Sequence, residues 1–377
     1  MTDPAMVFDA FDRGKLSRRQ LLTALGVAAV VRPVSAFAQG QCGGARAGTP
    51  GCDTTPAKLP FEPTGWKTVL LDHFSCQAAD YQKEAAYYSA LMNWKIRSDD
   101  GKEALLDIGD WGGFVLRGGY EAPPPPPPSE TPAAGAAGGG GRGGGRGGPR
   151  VPRLAVVDGF CWGIEPWNAK KVEAALRARG LDPTADNRKD FQSFHVKDPD
   201  GFDLQISNGS RGNRRRQPAS VKSAVAEPFE HTDWKTVWLD HISFEVTNYK
   251  ESVGFYTALL GWRAGKDEGS QNQCEIGDVG DIIIRRGGGN RGAAPGSAPA
   301  PRRAGISHIS FGISPFDPDA VQKELEKRGL NARVDTGGRG DIHTTAYKSY
   351  HTTTPNGFDL QISNSTKATR GNSAFTS

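Results

Sequence analysis

Large parts of this 377-residue chain occur twice. The sequence WKTV stands at residues 66–69 and again at 234–237, an offset of 168. Further along, GFDLQISN at 201–208 returns unchanged at 357–364, an offset of 156. A repeat on this scale predicts two equivalent domains of ordinary size.

The repeat also divides the chain. We place the first domain at 66–208 with a low-complexity insertion at 121–150, and the second at 234–364 with an insertion at 287–303. We assign the difference between the two offsets to these insertions. Their arginines could contact RNA, but the composition favours solvated surface loops. The remaining segments are a linker at 39–65, a second linker at 209–233 and a tail at 365–377.

Each copy divides again into two halves of one pattern. In the second copy a strand at 239–246 precedes a helix at 248–260, which Gly261 should end, and short strands follow to 281–286. From residue 305 the same order of elements begins again. A half of this size cannot bury its own sheet face, so the halves should pair. The fold class predicted is α+β, with four βαβββ modules that form two cup-shaped sheets.

The N-terminal residues 1–38 have the pattern of a cleaved export signal. They contain SRRQLL at 17–22, which is a twin-arginine motif, an apolar run at 23–31 and the small-x-small sequence AFA at 36–38. About nine apolar residues are too few for a bilayer span, which needs about 20. We expect export to the periplasm or beyond and no stable membrane anchor, the alternative being a chance pair of arginines.

The net charge and the cysteine positions argue against two kinds of partner, a nucleic acid and a zinc ion bound by thiolates. The net charge of +4 is too small for affinity based on phosphate neutralisation, so no nucleic-acid partner is expected. Cys42 and Cys52 flank a short Gly-rich loop, and whether they form a disulfide is left open. Cys76, Cys161 and Cys274 stand singly in strand-like runs, where a small buried side chain is favoured. The chain has no CxxC pair, which disfavours a thiolate zinc site.

Three predicted strands of the second copy alternate polar and apolar residues. Their polar faces carry His241, His308 and Gln361 near the strand centres, while the apolar faces should pack on helices. A solvated outer face would show the same alternation. Two histidines in equivalent positions of paired halves nevertheless make a metal site a serious candidate.

With these motifs the chain resembles the vicinal oxygen chelate superfamily, which includes glyoxalase I, bleomycin- and fosfomycin-resistance proteins and type I extradiol dioxygenases. The resemblance rests on the strand histidine followed by FYxxLLG at 255–261, on DPDG at 198–201 and on TPNGF at 354–358. It implies that His241, His308 and Gln361 are metal ligands. Glutamine stands where the family usually has glutamate.

The resemblance also distinguishes the two copies. The first copy has His73 and Gln205, but Gly159 occupies the place of the second histidine, so its role is expected to be structural. A first domain without a metal site followed by a second domain with one is an arrangement that resembles extradiol dioxygenases. Their C-terminal signature implies catalytic roles for His343 and for His351, which stands in a tyrosine position.

Other features of the dioxygenase pattern are either missing from this chain or allow more than one interpretation. The family's acid–base histidine is missing from 281–286, which offers isoleucine and arginine instead. Arg285, matched by Arg117 in the first copy, could bind an anionic substrate or form a repeated structural salt bridge. Asp359 could support the metal site as a nearby carboxylate or simply face solvent.

Two classes of function follow from the resemblance. The first is a metal-dependent enzyme of the glyoxalase or extradiol dioxygenase type acting on a small oxygenated molecule, with an aromatic diol as one candidate. Its divalent ion would be Fe(II) or Mn(II), with Zn(II) or Ni(II) as further candidates. The second is a non-catalytic protein that binds a small molecule, as resistance proteins of this fold do. Metal content distinguishes the two.

Overall fold

The computed structural model describes residues 54–121, 152–188, 191–214, 220–287, 304–338 and 340–370. The predicted signal at 1–38, Cys42, Cys52 and nearly all of both insertions lie outside these residues. Everything described belongs to one compact unit, Asp53–Ser377. None of the described helices is long and apolar enough to cross a membrane.

The strands of the first repeat form one eight-stranded sheet with the order β2-β3-β4-β1-β5-β8-β7-β6. Its members are β1 (Lys67–Ala78), β2 (Lys95–Asp99), β3 (Glu103–Ile108), β4 (Gly112–Arg117), β5 (Ala155–Glu165), β6 (Thr184–Arg188), β7 (Phe191–Lys197) and β8 (Asp203–Ser207).

The second repeat forms an equivalent sheet with the order β10-β11-β12-β9-β13-β16-β15-β14. Its members are β9 (Lys235–Val246), β10 (Arg263–Asp267), β11 (Gln271–Ile276), β12 (Gly280–Arg286), β13 (Gly305–Ser314), β14 (Arg333–Asp335), β15 (Ser349–Thr353) and β16 (Asp359–Ser363). The predicted α+β class with four βαβββ modules is confirmed.

A helix connects the first and second strand of each module. These four helices are α1 (Tyr81–Met92), α2 (Ala169–Arg177), α4 (Tyr249–Leu260) and α5 (Pro318–Lys327), and a short helix, α3 (Arg211–Arg214), lies in the segment between the repeats. Helix α1 begins after Asp80, whose side chain accepts from the backbone N–H of Lys83. Helix α4 ends at Gly261, as predicted, with a φ of 69° that glycine adopts without strain.

The two repeats are joined by a pair of equivalent hydrogen bonds. The indole of Trp94 donates to the Thr236 hydroxyl at 2.8 Å, and the indole of Trp262, 168 residues further on, donates to that of Thr68 at 3.0 Å. In each bond the indole comes from one repeat and the threonine from the other. Because both bonds are buried, losing either partner would leave an unpaired polar group in the core.

Aromatic side chains fill the space between the sheets. Tyr256 of α4 packs edge-on or tilted against Phe160 of the first sheet and Phe244 of the second. Trp94, just after α1, packs against Phe311 of β13. Cys76, Cys161 and Cys274 are buried free thiols, which confirms the small buried role predicted for them. The apolar faces of both sheets are thus used for packing, and the polar faces are left for other roles.

The sheet register corrects our assignment of the length difference between the repeats. Gly159 is equivalent to His308, 149 residues further on, whereas Ser193 is equivalent to Ser349, 156 residues further on. The second repeat therefore has seven additional residues between these positions, beyond the difference in the insertions. They lie in the connection 336–348 between β14 and β15, whereas β6 and β7 are joined by two residues.

Asp198 links the turn before β8 to the second repeat. One carboxylate oxygen accepts from the backbone N–H groups of Asp200 and Phe202, and the other accepts from the Tyr256 hydroxyl at 2.9 Å. Burial raises the pKa of Asp198 to about 6. At the equivalent turn of the second repeat the neutral Thr354 accepts the corresponding backbone bond.

Asp198 should therefore make the protein more stable as the pH falls. Its pKa is higher in the folded than in the unfolded state, so between roughly pH 6 and 4 the folded state binds more protons. Asp198→Asn is expected to raise the free energy of unfolding at pH 7.5 by roughly 1–3 kcal/mol and to leave it little changed near pH 4.5. Denaturant unfolding at both pH values measures this, and an equal loss at both would contradict it.

Candidate functional site

The polar face of the second sheet, which we call the second polar face, carries His241, His308 and Gln361. Strand β13 pairs with β9 on one side and β16 on the other, so that Ser310 lies opposite both His241 and Gln361. Asp359 of β16 lies opposite His308. Three strands that are far apart in the sequence thus bring the three predicted metal ligands to neighbouring positions on this face.

The two histidines point their ring nitrogens at each other. Nε2 of His241 lies 3.1 Å from Nε2 of His308, with the ring planes 82° apart. Two nitrogens bound to one ion at about 2.1 Å would be separated by roughly 3.0–3.4 Å. Burial, together with the charges of His241, His351 and Arg285, lowers the pKa of His308 well below its usual value. His308 is therefore neutral at pH 7, which is the form that binds metals.

Gln361 is 1% exposed and has one side-chain atom without a partner. Its amide nitrogen donates to the hydroxyls of Ser349 at 2.7 Å and Tyr347 at 3.0 Å. Its carbonyl oxygen Oε1 has no hydrogen-bond partner among the described residues. A buried carbonyl oxygen destabilises the folded state unless a hydrogen-bond donor or a cation binds to it. The residues present therefore fit a bound cation.

Asp240 contacts these residues from within β9. It is 5% exposed and accepts from the hydroxyls of Ser310 and Tyr347, both at 2.7 Å, and it lies 3.4 Å from Nδ1 of His241. Burial alone would raise the pKa of Asp240, but His241 and the two hydroxyls hold it well below its usual value. A carboxylate at Nδ1 orients the opposite ring nitrogen toward a metal. Sequence reasoning missed this role, although the tripeptide LDH, which stands at 71–73 and again at 239–241, contained the signal.

His351 joins the same cluster from β15. Its ring lies 5.0 Å from that of His308, its Nδ1 is 3.1 Å from Asp359 and its Nε2 is 3.2 Å from Asp335. Burial opposes the charged ring, but hydrogen bonds to Asp335 and Asp359 raise the pKa of His351 to about 9. Asp359 therefore pairs with His351, and it also accepts from Arg333 at 2.6 Å. Asp335 was not singled out from the sequence.

His343 is not brought to this cluster. Its side chain is 56% exposed, and its Nε2 lies 3.7 Å from Asp319 of α5. Helix α5 packs on the opposite side of the sheet, where it contacts Tyr350, the strand neighbour of His351. The 336–348 connection therefore carries His343 toward the helix layer.

The two repeats differ at their equivalent arginines. Arg117 forms a salt bridge with Asp158 at 2.7 Å and donates to the Ser75 hydroxyl at 2.6 Å. In the second repeat Ser307 takes the place of Asp158, and Nε of Arg285 is buried without a hydrogen-bond partner among the described residues. The structural salt bridge of the first repeat is therefore not repeated.

The polar face of the first sheet, the first polar face, surrounds a cavity of about 870 Å³. His73 lies at its centre, with Nδ1 2.8 Å from Asp72. Gly159 lies opposite Asp203 in the place of His308, as the sequence indicated. The first polar face thus lacks the second imidazole and contains open space instead.

Comparisons with known proteins agree with this architecture. Residues 238–362 match the model of the Glyoxalase/Bleomycin resistance protein/Dioxygenase superfamily. The Mn(II)-bound glyoxalase from Novosphingobium aromaticivorans aligns with a TM-score of 0.51 at 15% identity, covering 79% of this chain and 82% of that one. No curated protein sequence matches the chain.

Two dioxygenase structures are similar to the same degree. The 2,3-dioxygenase LapB from Pseudomonas sp. KL28 has a TM-score of 0.50 at 14% identity and covers 79% of this chain and 92% of its own. The halotolerant catechol dioxygenase BphC has a TM-score of 0.50 at 11% identity, with 79% and 87% covered. This chain has the vicinal oxygen chelate fold. The resemblance that the sequence suggested is confirmed, and at these identities it concerns the fold.

Within the vicinal oxygen chelate fold of this chain, we predict metal binding by the second repeat only. His241→Ala and His308→Ala are each expected to abolish stoichiometric binding of Mn(II), because each leaves too few ligands. His73→Ala is the matched control, since it removes the equivalent imidazole of the first repeat. Elemental analysis of desalted, Mn(II)-loaded protein measures the occupancy. A loss with His73→Ala equal to that of the other two would contradict the prediction.

Proposed function

We propose that the second repeat is the metal centre of an enzyme of the glyoxalase or extradiol dioxygenase type, acting on a small oxygenated molecule. The observation that carries the proposal is the buried, unpartnered Oε1 of Gln361, in the same row of strands as the facing ring nitrogens of His241 and His308. The fold supports the class at a coarse level, and two proteins of similar structure are a Mn(II)-bound glyoxalase and a catechol dioxygenase.

The donor set suits a divalent first-row metal. Two imidazoles and one amide oxygen offer nitrogen and oxygen ligands, the kind that Fe(II), Mn(II), Zn(II) and Ni(II) accept. With no charged ligand, His241, His308 and Gln361 would hold the ion less tightly than a set that included a carboxylate. A bound divalent ion would supply a Lewis acid that polarises a substrate oxygen.

The surrounding residues have separate tasks. Asp240 holds the His241 ring in place through the contact at Nδ1. Arg285, with an unpaired and buried Nε, binds an anionic or oxygen-rich group of the substrate. His351 is protonated at both Nδ1 and Nε2 near neutral pH, so it places a positive charge and a transferable proton beside His308.

The competing reading is a non-catalytic binding protein of the same fold. Both readings place a small molecule on a polar face, but only the enzyme requires a metal. Oxygen uptake by Mn(II)- or Fe(II)-loaded protein with catechol as the probe tests the dioxygenase branch. Protein that neither holds a divalent ion nor depends on one for ligand binding would support the binder.

We also propose that the chain is exported by the twin-arginine route. Residues 1–40 fused to a reporter that must fold before translocation should carry it out of the cytoplasm. Arg18→Lys together with Arg19→Lys should block export, because the pair of guanidinium groups defines the motif in SRRQLL. Cell fractionation measures the outcome, and unimpaired export of the double variant would refute the proposal.

Gln361→Glu tests the metal centre directly. If Gln361 faces an ion, the new carboxylate should tighten Mn(II) or Fe(II) binding. Close opposite charges are worth roughly 4 kcal/mol at 4 Å and an effective dielectric near 20, before the carboxylate is desolvated. A net gain of about 1–2 kcal/mol, or roughly tenfold in affinity, is expected. Titration with the metal and melting temperatures with and without it measure the change.

The matched control is Gln205→Glu, which makes the same change at the equivalent position of the first repeat. It should not increase metal affinity, because the second imidazole is missing there. Without a metal at Gln361, the new carboxylate would be a buried, unpaired charge, and the protein would lose stability. A fall in the melting temperature of Gln361→Glu that Mn(II), Fe(II) and Zn(II) all fail to reverse would refute the metal centre.

A further inference from the structure

We propose that the first repeat contains a binding site for an uncharged polyhydroxylated molecule, such as a sugar or a cyclitol. The site is the cavity of about 870 Å³ on the first polar face, a volume within the range of small-molecule sites. Its floor is formed by His73, Gly159 and Gln205. This binding role is independent of the metal centre proposed for the second repeat.

Two local differences between the repeats keep this cavity open. Gly159 has no side chain at the position where His308 fills the second polar face. In the second repeat the connection 336–348 also carries Tyr347 onto that face, where its hydroxyl donates to Asp240. The first repeat has only two residues, 189–190, between β6 and β7. The corresponding connection is therefore shorter in the first repeat.

One wall of the cavity is a fixed network of charged and hydroxyl groups. Arg117 donates to Asp158 at 2.7 Å and to the Ser75 hydroxyl at 2.6 Å, and Ser75 donates to the other oxygen of Asp158 at 2.8 Å. The Arg117 and Asp158 side chains remain 43% and 35% exposed, so both have donor or acceptor capacity left toward the cavity.

The opposite wall of the cavity is also a network of paired charged groups and a hydroxyl. Asp203 accepts from Lys197 at 3.0 Å and lies 2.8 Å from Nδ1 of His195. The amide of Gln205 donates to the Ser193 hydroxyl at 2.8 Å. Half-buried Phe191 completes this side with an apolar ring. A flat aromatic surface beside paired polar groups suits a ligand with both C–H and O–H faces.

The pairing of charges determines the class of ligand. Each cation that lines the cavity has a carboxylate partner: Arg117 pairs with Asp158, Lys197 with Asp203 and Arg97 with Asp107. Two further carboxylates of the lining, Asp72 and Asp186, lie beside His73 and His195. Neither wall therefore presents an unpaired cation. A carboxylate or phosphate only accepts hydrogen bonds and would meet the acceptors of both walls, whereas an ammonium group only donates and would meet the cations. A hydroxyl both donates and accepts. Alternating donors and acceptors on two walls therefore favour a ligand with several neutral hydroxyl groups.

The experiment is calorimetric titration of the full chain with neutral, anionic and cationic probes. We expect saturable binding, one site per chain, for at least one of glucose, sucrose and myo-inositol, and no binding of citrate or choline that depends on the first polar face. Val115→Trp places an indole in the cavity without removing a polar group, and Arg117→Gln removes the guanidinium from one wall. Each should weaken binding at least about tenfold.

Arg177→Gln is the matched control, because it makes the same change on α2, where the Arg177 side chain is 54% exposed, pairs with Glu173 and does not line the cavity, and it should leave polyol binding unchanged. Melting temperatures and Mn(II) content of the variants report whether the fold is intact, and Arg117→Gln serves if Val115→Trp fails to fold. Binding of citrate or choline that a folded Val115→Trp abolishes, polyol binding that a folded Val115→Trp retains, or no binding of the three neutral probes at roughly 10 mM would each overturn the proposal.

Discussion

The antiparallel pairing of β9 with β13 is the constraint on which the second repeat depends. It joins two modules into one sheet, and the parallel pairing of β13 with β16 extends that sheet to the last strand. This register places His241 and His308 with ring nitrogens 3.1 Å apart and sets Gln361 in the same row. A slip of one residue would turn these side chains into the apolar core.

The first repeat has the same pairing, of β1 with β5, and yet a different polar face. Gly159 stands in the place of His308, and Asp158 stands in the place of Ser307. The first change replaces a predicted metal ligand with a residue that has no side chain, while the second gives Arg117 a carboxylate partner where the second repeat has a serine. One fold thus presents a cluster of histidines and carboxylates in one repeat and a row of paired charges in the other.

The two polar faces also differ in how their buried charged groups are paired. On the second polar face, Asp240 is surrounded by hydroxyl donors and lies against His241, and His351 lies between two carboxylates. Charged groups are concentrated there, next to the neutral His308 and the amide of Gln361. On the first polar face each cation is matched locally, for example Lys197 by Asp203. These arrangements suit a metal ion and an uncharged ligand, respectively.

The amino-acid sequence by itself determined the repeat, the module order, the helix end at Gly261 and the polar faces that carry His241, His308 and Gln361. These follow from local periodicity, because alternate residues of a strand point to the same face. Only the tertiary structure decided that His351 joins the cluster and His343 does not, that Tyr347 covers Asp240, and that the described residues leave a cavity on the first polar face. Those outcomes depend on strand register and on the path of the 336–348 connection. They were beyond sequence reasoning because they join residues far apart in the chain, and pairing of that kind has no local pattern from which it can be read.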